Sequence, residues 1–155
     1  MKLEAEDRPT LHYFQDALCG WCYGFAPVVQ QLHDTWADSL DVVVYAGGMI
    51  KGDGVRALSE MADFIRSARV RVEETTGIVF GEPFMTGLLE RGDVMLDSAV
   101  PAYGLEAVRA LLPQRTLEFS HRLQLALYRD GLDLTSPATY HALAREFGIE
   151  PDTFV

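Results

Sequence analysis

Residues 12–27 read His12-Tyr13-Phe14-Gln15-Asp16-Ala17-Leu18-Cys19-Gly20-Trp21-Cys22-Tyr23-Gly24-Phe25-Ala26-Pro27. The apolar and aromatic run from Leu11 to Phe14 has the pattern of a strand buried on both faces, and Gln15 to Leu18 carry the chain from it into Cys19. From Gly20 to Ala37, apolar residues recur at helical spacing at Phe25, Val28, Val29, Leu32 and Trp36. Asp41-Val42-Val43-Val44-Tyr45-Ala46 is β-branched and continuous, a second buried strand. Strand, helix, strand predicts a parallel pair joined by a right-handed crossover. Cys19 therefore falls where the helix begins.

That position has a chemical consequence. Free amides and the positive end of a helix dipole stabilise a thiolate, which can bring a cysteine from about 8.5 to between about 3.5 and 7.5. Cys22 lies one turn further on, faces the same edge and can close a small ring with Cys19. The expected roles are Cys19 as nucleophile and Cys22 as the resolving thiol of a mixed disulfide, with Gly20 and Trp21 tuning the potential. The chain holds 2 cysteines, so a disulfide scaffold is excluded by count. Two buried cysteines without a redox role are the plainer alternative, and a zinc site is another. His33, eleven residues past Cys22, would lie roughly 16 Å along the helix, and His12 sits on the strand, so no metal is expected. Asp16 is expected to cap the turn before the helix, with an influence on the Cys22 proton as the alternative. Trp21 is expected to be exposed beside the site. Phe14, Tyr23, Phe25 and Trp36 read as core, and His121 and His141, outside the apolar stripes of their helices, as solvent-facing.

Beyond Gly48 the pattern is helical. A segment from about Gly54 to Val70 aligns Leu58, Met61, Ala62 and Ile65; Pro101 to Leu112 aligns Leu105, Val108, Leu111 and Leu112; Phe119, Leu123, Ala126 and Leu127 form a third stripe. The last helix has clear punctuation: Ser136 as N-cap, Pro137 in the first turn, the stripe Tyr140, Leu143, Ala144 and Phe147, and Gly148 as terminator. Gly47 to Gly54 and Gly77 to Gly92 read as loops, and Glu150-Pro151-Asp152 begins a new segment before Val155.

Composition bounds the function classes. The chain has 155 residues, is 48% hydrophobic and carries a net charge of -10, enough for one sizeable core and unsuited to a phosphate-binding surface. The longest apolar stretch, Val42 to Ile50, is far short of the roughly 20 residues of a membrane span. Neither nucleic acid nor a membrane is an expected partner. The N-terminus, Met1 to Asp7, is acidic and lacks the apolar core of a secretory signal, so the expected location is the cytoplasm.

The stretch from His12 to Pro27 resembles the DsbA-like branch of the thioredoxin superfamily, in particular bacterial proteins of the protein-disulfide isomerase type. Tyr45-Ala46-Gly47-Gly48-Met49 is similar to that branch's segment after the second strand, and Pro27, five residues after Cys22, stands where the branch kinks its active-site helix. The resemblance implies an α/β, thioredoxin-like fold with a helical domain inserted after the second strand. It places a strand–helix–strand half of the core at 1–48, the helical domain at 49–150 and a return segment from 151–155. The family's later strands, final helix and cis-proline loop have no counterpart in the sequence. The activity implied is thiol–disulfide exchange or isomerisation, with catalytic Cys19 and Cys22 and with Gly20, Trp21, Asp16 and Pro27 shaping the motif. Protein or small-thiol disulfides would be substrates. No bound cofactor is implied; glutathione or a thioredoxin-type reductant would be the redox partner. A cytoplasmic setting favours reduction or isomerisation over net oxidation. Two alternatives come from other classes: a glutathione-dependent transferase or isomerase of small molecules, and a redox-silent interaction module whose sheet a partner chain or second copy completes.

Overall fold

The computed structural model describes residues 8–154; the acidic run Met1 to Asp7 and the last residue, Val155, lie outside them. Strand β1 (Thr10–Gln15) and strand β2 (Asp41–Ala46) pair in parallel, from Thr10 opposite Asp41 to Gln15 opposite Ala46. Helix α1 (Gly20–Trp36) is the crossover between them. Both strands end at the same edge, so the turn into α1 and the segment after β2 meet there, as ligand sites do at the carboxyl ends of parallel strands.

The pair is not buried on both faces. Exposure alternates along β1, with Phe14 68% exposed and stacked on Tyr45, its ring centroid 4.8 Å away. On α1, Tyr23, Ala26 and Val29 are buried towards helices described below, whereas Phe25 and Trp36 are about half exposed and Val28 and Leu32 share their face. Of the expected core aromatics, Tyr23 alone is buried. The reason is tertiary: periodicity marks an apolar face, but a two-stranded sheet has too little area to cover both sides of its crossover helix.

The helical block begins later than its periodicity suggests. Gly52–Gly54 form a 3-10 turn, and Arg56–Ala57 (β3) pair antiparallel with Met95–Leu96 (β4), so α2 spans Leu58–Thr76 instead of starting at Gly54. It runs past Val70 to Gly77, which ends it in the left-handed region at φ 74°. The stretch from Gly77 to Gly92 is only partly loop. Pro83–Leu88 form a π-helical turn that continues into the short helix α3 (Leu89–Arg91), because Phe84, Leu88 and Leu89 all point into the core. Glycines flanking and within this stretch mask that apolar spacing in the sequence.

Helices α4 (Ala99–Leu111), α5 (Thr116–Tyr128) and α6 (Pro137–Phe147) follow. Pro101 falls in the first turn of α4, where its missing N–H costs no helical bond. Helix α5 is the central element, packed on α1, α4 and β2; Phe119, Leu123, Ala126 and Leu127 are each 2% exposed or less. Helix α6 ends at Gly148 in the left-handed region, as its punctuation predicts, although the Ser136 side chain makes no capping bond. Pro151–Phe154 form a 3-10 turn. His121 and His141 are only partly exposed: the Nε2 atom of each is buried without a hydrogen-bond partner, and burial pulls His121 down to about 4, so its ring is neutral at pH 7. No helix among the described residues is long and apolar enough to cross a membrane.

Candidate active site

Cys19 occupies the N-cap position of α1, held by its own N–H donating to the Asp16 carbonyl at 3.1 Å, while its carbonyl accepts from Tyr23 N at 3.0 Å. The extended backbone at Cys19 turns Sγ back over the first helical turn, where it accepts the Cys22 N–H at 3.3 Å. A sulfur thus does the work that a serine or aspartate oxygen does at other N-caps. Both cysteines are free thiols and half-buried.

The electrostatics separate the two sulfurs. Cys19 is lowered to about 6, first by a hydrogen bond from the Cys22 thiol and then by the N–H groups of Cys22 and Trp21; partial burial and the Asp16 charge oppose the shift. Cys22 moves strongly the other way, first because it donates to Cys19 and next because it is desolvated. At pH 7 one sulfur is a thiolate and its neighbour keeps its proton, which is the division that thiol–disulfide exchange needs.

Asp16 does more than cap a turn. It is 5% exposed; Oδ1 accepts from Leu18 N and from Ser98 Oγ, each at 2.9 Å, and Oδ2 accepts from Met49 N at 2.8 Å. One carboxylate therefore ties the turn before Cys19 to the segment after β2 and to the start of α4. Gly48, at φ 64°, provides the left-handed bend that precedes the Met49 amide. Ser98, itself buried, completes the network by accepting from Ile50 N at 3.0 Å. Replacing Asp16 with asparagine removes one acceptor from a buried network and one negative charge from beside both sulfurs. The expected result is a loss of about 1–3 kcal/mol of stability in urea unfolding together with a lower alkylation midpoint for Cys19. An unmoved midpoint would leave Asp16 a purely structural role.

Below the turn lies an aromatic cluster. The Tyr128 hydroxyl donates to the Leu18 carbonyl, and Tyr128 packs edge-on against Phe80 and Phe84 at 5.0 Å and 5.1 Å between centroids. Burial pushes the Tyr128 phenol up, so it remains a donor at neutral pH. Gly20 is where Phe80 comes close: a Cβ there would lie 3.3 Å from the Phe80 ring. Gln124, fully buried on α5, donates to Gln15 Oε1 at 2.9 Å and fixes the end of β1.

Of the residues singled out by sequence, Cys19, Gly20 and Trp21 share one cleft, Cys22 is joined to it through Cys19, and Asp16 sits directly beneath. Pro27 is not part of this cleft; it lines a separate depression between α1, α5 and α6, beside His121. Trp21 is 46% exposed at the rim. Sequence reasoning missed Ser98, Tyr128 and Phe80. Each is an ordinary residue of the helical block or its flanking turns, and only their long-range contacts give them a place here.

Three solved structures resemble the chain over almost its whole length. The cytosolic disulfide reductase DsbM from Pseudomonas aeruginosa matches with a TM-score of 0.82 and 29% identity over 94% of this chain and 68% of that one. The same protein with GSH matches at 0.80 and 30%, covering 94% and 69%. A candidate protein disulfide isomerase from Nitrosomonas europaea matches at 0.77 and 26%, covering 96% and 69%. No protein-family model and no curated protein sequence matches the chain. Fold and neighbours together define a thiol–disulfide oxidoreductase of thioredoxin-like architecture. More particularly, the chain belongs to the DsbA-like branch of the thioredoxin superfamily.

Proposed function

We propose that the chain reduces or isomerises disulfides through Cys19 and Cys22, with glutathione as its small-thiol partner. The observation that carries this reading is the sulfur pair itself: a Cys19 thiolate at the start of α1, stabilised first by the Cys22 thiol one turn away. In the reductive direction the Cys19 thiolate attacks one sulfur of a substrate disulfide, the S–S bond breaks, and the departing thiolate takes up a proton. Cys22 then loses its proton and attacks Cys19 Sγ, releasing the second substrate thiol and leaving a Cys19–Cys22 disulfide. Two electrons have passed from the dithiol to the substrate. Two glutathione molecules restore the dithiol and leave as glutathione disulfide.

A thiolate that stabilises the reduced form makes the disulfide easier to reduce, which suits recycling by glutathione. The structural neighbour with GSH supports the choice of thiol. In this reading residues 1–48 are the strand–helix–strand half of the core and residues 49–150 are the helical domain whose α2, α4 and α5 build the cleft walls and hold the turn. Gly20 and Trp21 tune the site, Gly20 by leaving room for Phe80.

The test is equilibration of the oxidised protein with glutathione and glutathione disulfide at pH 7, followed by acid quenching and intact mass. The expected result is two-state conversion between a dithiol and an internal disulfide, 2 hydrogens apart. Failure of glutathione to reduce the protein at any ratio overturns the choice of thiol; failure of a Cys19–Cys22 disulfide to form overturns the exchange reading.

A further inference from the structure

Exposure alternates along β1, so Leu11, Tyr13 and Gln15 turn inward while Thr10, His12 and Phe14 turn out. Tyr13 stands opposite Val44 of β2, which is 1% exposed, and Gln15, next on the same face, is tied to Gln124 of α5. The Tyr13 side chain is half-buried and its hydroxyl oxygen wholly so, with no hydrogen-bond partner among the described residues. A buried hydroxyl left unpaired destabilises a fold, whereas phenylalanine would fill the same space without that penalty.

The surroundings of that oxygen give it a use. The charges acting on it are those of the two sulfurs, Cys22 more strongly than Cys19, so it lies beneath the pair at the start of α1. Burial and both sulfurs hold the phenol above its ordinary range, and it keeps its proton at neutral pH. The neighbouring phenol, Tyr128, is committed to the Leu18 carbonyl.

Cys22 is the sulfur that needs a donor. In the reduced protein its thiol donates to Cys19. Once Cys19 is held in a mixed disulfide, that partner is no longer an anion, and Cys22 itself has to become the thiolate. Burial and the Asp16 charge oppose the Cys22 anion, while the Asp16 N–H favours it. The ionisable groups that face Cys22 are Cys19 at the helix start, Asp16 in the turn, Tyr13 from β1 and Tyr128 from α5. Of these four, Tyr13 is the uncommitted donor.

We infer that the Tyr13 hydroxyl is the hydrogen-bond donor that stabilises the Cys22 thiolate while it resolves the mixed disulfide, closing onto Cys22 Sγ as the anion forms. The inference rests on the exchange reading above and adds a residue to its second step. The phenol keeps its own proton throughout. Cys22 gives its proton to solvent, its thiolate attacks Cys19 Sγ, the bond from Cys19 to the substrate sulfur breaks, and the departing thiolate is protonated by solvent. Tyr13 therefore changes the rate of resolution and leaves the electron count as it was.

The experiment mixes the reduced protein, wild type or Tyr13→Phe, with a large excess of glutathione disulfide, quenches with acid at successive times, and follows the glutathionyl adduct and the internal disulfide by intact mass from about pH 6 to about pH 9. In Tyr13→Phe the adduct is expected to form at the wild-type rate and to decay about tenfold or more slowly, the effect of one hydrogen bond to an anion. The pH at which decay becomes fast moves upward, because the Cys22 thiolate has lost a donor. The Cys19 alkylation midpoint stays in place, since Tyr13 is not among the groups that shift it, and urea unfolding shows a variant at least as stable as wild type. Equal decay in the two proteins overturns the donor role and leaves the exchange reading standing. Formation and decay slowed by the same factor, with reduced stability in urea, assign Tyr13 a structural role and overturn the inference in the same way. A wild-type protein that forms neither adduct nor internal disulfide overturns both.

Discussion

Replacing Cys19 with serine is expected to abolish disulfide exchange, lowering the rate at pH 7 by about 10³-fold or more, because a serine hydroxyl has no populated anion to attack sulfur. The wild-type counterpart is a pH profile. Iodoacetamide reacts with a thiolate, so alkylation of the reduced protein rises with a midpoint near the value of about 6 set for Cys19 by the Cys22 thiol and the helix amides. Cys22, pushed upward by the same bond and by burial, stays unmodified over that range. Intact mass after a timed quench reads both sites. Slow and equal modification of the two sulfurs near pH 8.5 would remove the activated thiolate and the exchange chemistry with it.

The same asymmetry sets a stability signature. A group whose pKa is lower in the folded state stabilises the fold above its unfolded pKa, about 8.5 for cysteine, and that contribution disappears as pH falls through the folded value. Wild-type and Cys19→Ser proteins, both reduced, should therefore differ most in urea unfolding above about pH 8.5 and converge below about pH 6. Asp16 opposes the shift, so the contribution is smaller than the helix terminus and Cys22 alone would provide.

Loss of Cys22 is expected to have the second largest effect, and it separates two functions of that residue. Without a resolving thiol, the mixed disulfide formed at Cys19 has no internal exit. Cys22→Ala and Cys22→Ser should both accumulate a single glutathionyl adduct when mixed with glutathione disulfide, and turnover should fall to background. The two variants differ in the first step. Alanine removes the donor that is the largest cause of the Cys19 shift, so the alkylation midpoint climbs from about 6 towards the ordinary cysteine value. Serine keeps an O–H at the same place, and its midpoint stays closer to wild type. At pH 7 this difference changes Cys19 from about nine-tenths thiolate to a much smaller fraction, so alkylation is correspondingly slower in the alanine variant. Equal midpoints in the two variants would assign the shift to the helix terminus instead of the neighbouring thiol.

Much of this chain was legible in one dimension. The β-branched run at Asp41–Ala46, the helix after Cys19 and the capped helix ending at Gly148 are local patterns, and the structure forms each of them within about a residue. Boundaries slipped where short strand pairing or a glycine-rich segment overrode periodicity. Arg56–Ala57 left the expected helix to pair with Met95–Leu96, and Pro83–Arg91 wound into helix within an expected loop. Those outcomes depend on partners distant in the chain, which no window of sequence contains.

Sequence alone determined that one cysteine sulfur would stand over the first turn of a helix, since two cysteines at helical spacing behind a strand put it there. It also determined that the chain would form helices after Gly48 and that no stretch would be long and apolar enough for a membrane span. Tertiary structure decided the rest of the site: that Asp16 would be buried and shared among Leu18, Met49 and Ser98, and that Tyr128 would hold the Leu18 carbonyl. It also decided that Phe14, Phe25 and Trp36 would be exposed and His121 half-buried. The physical reason is the same in each case. Local sequence dictates which face of an element is apolar and where its dipole points, but what covers that face, and which distant side chain arrives at a given sulfur, is set by how the elements pack.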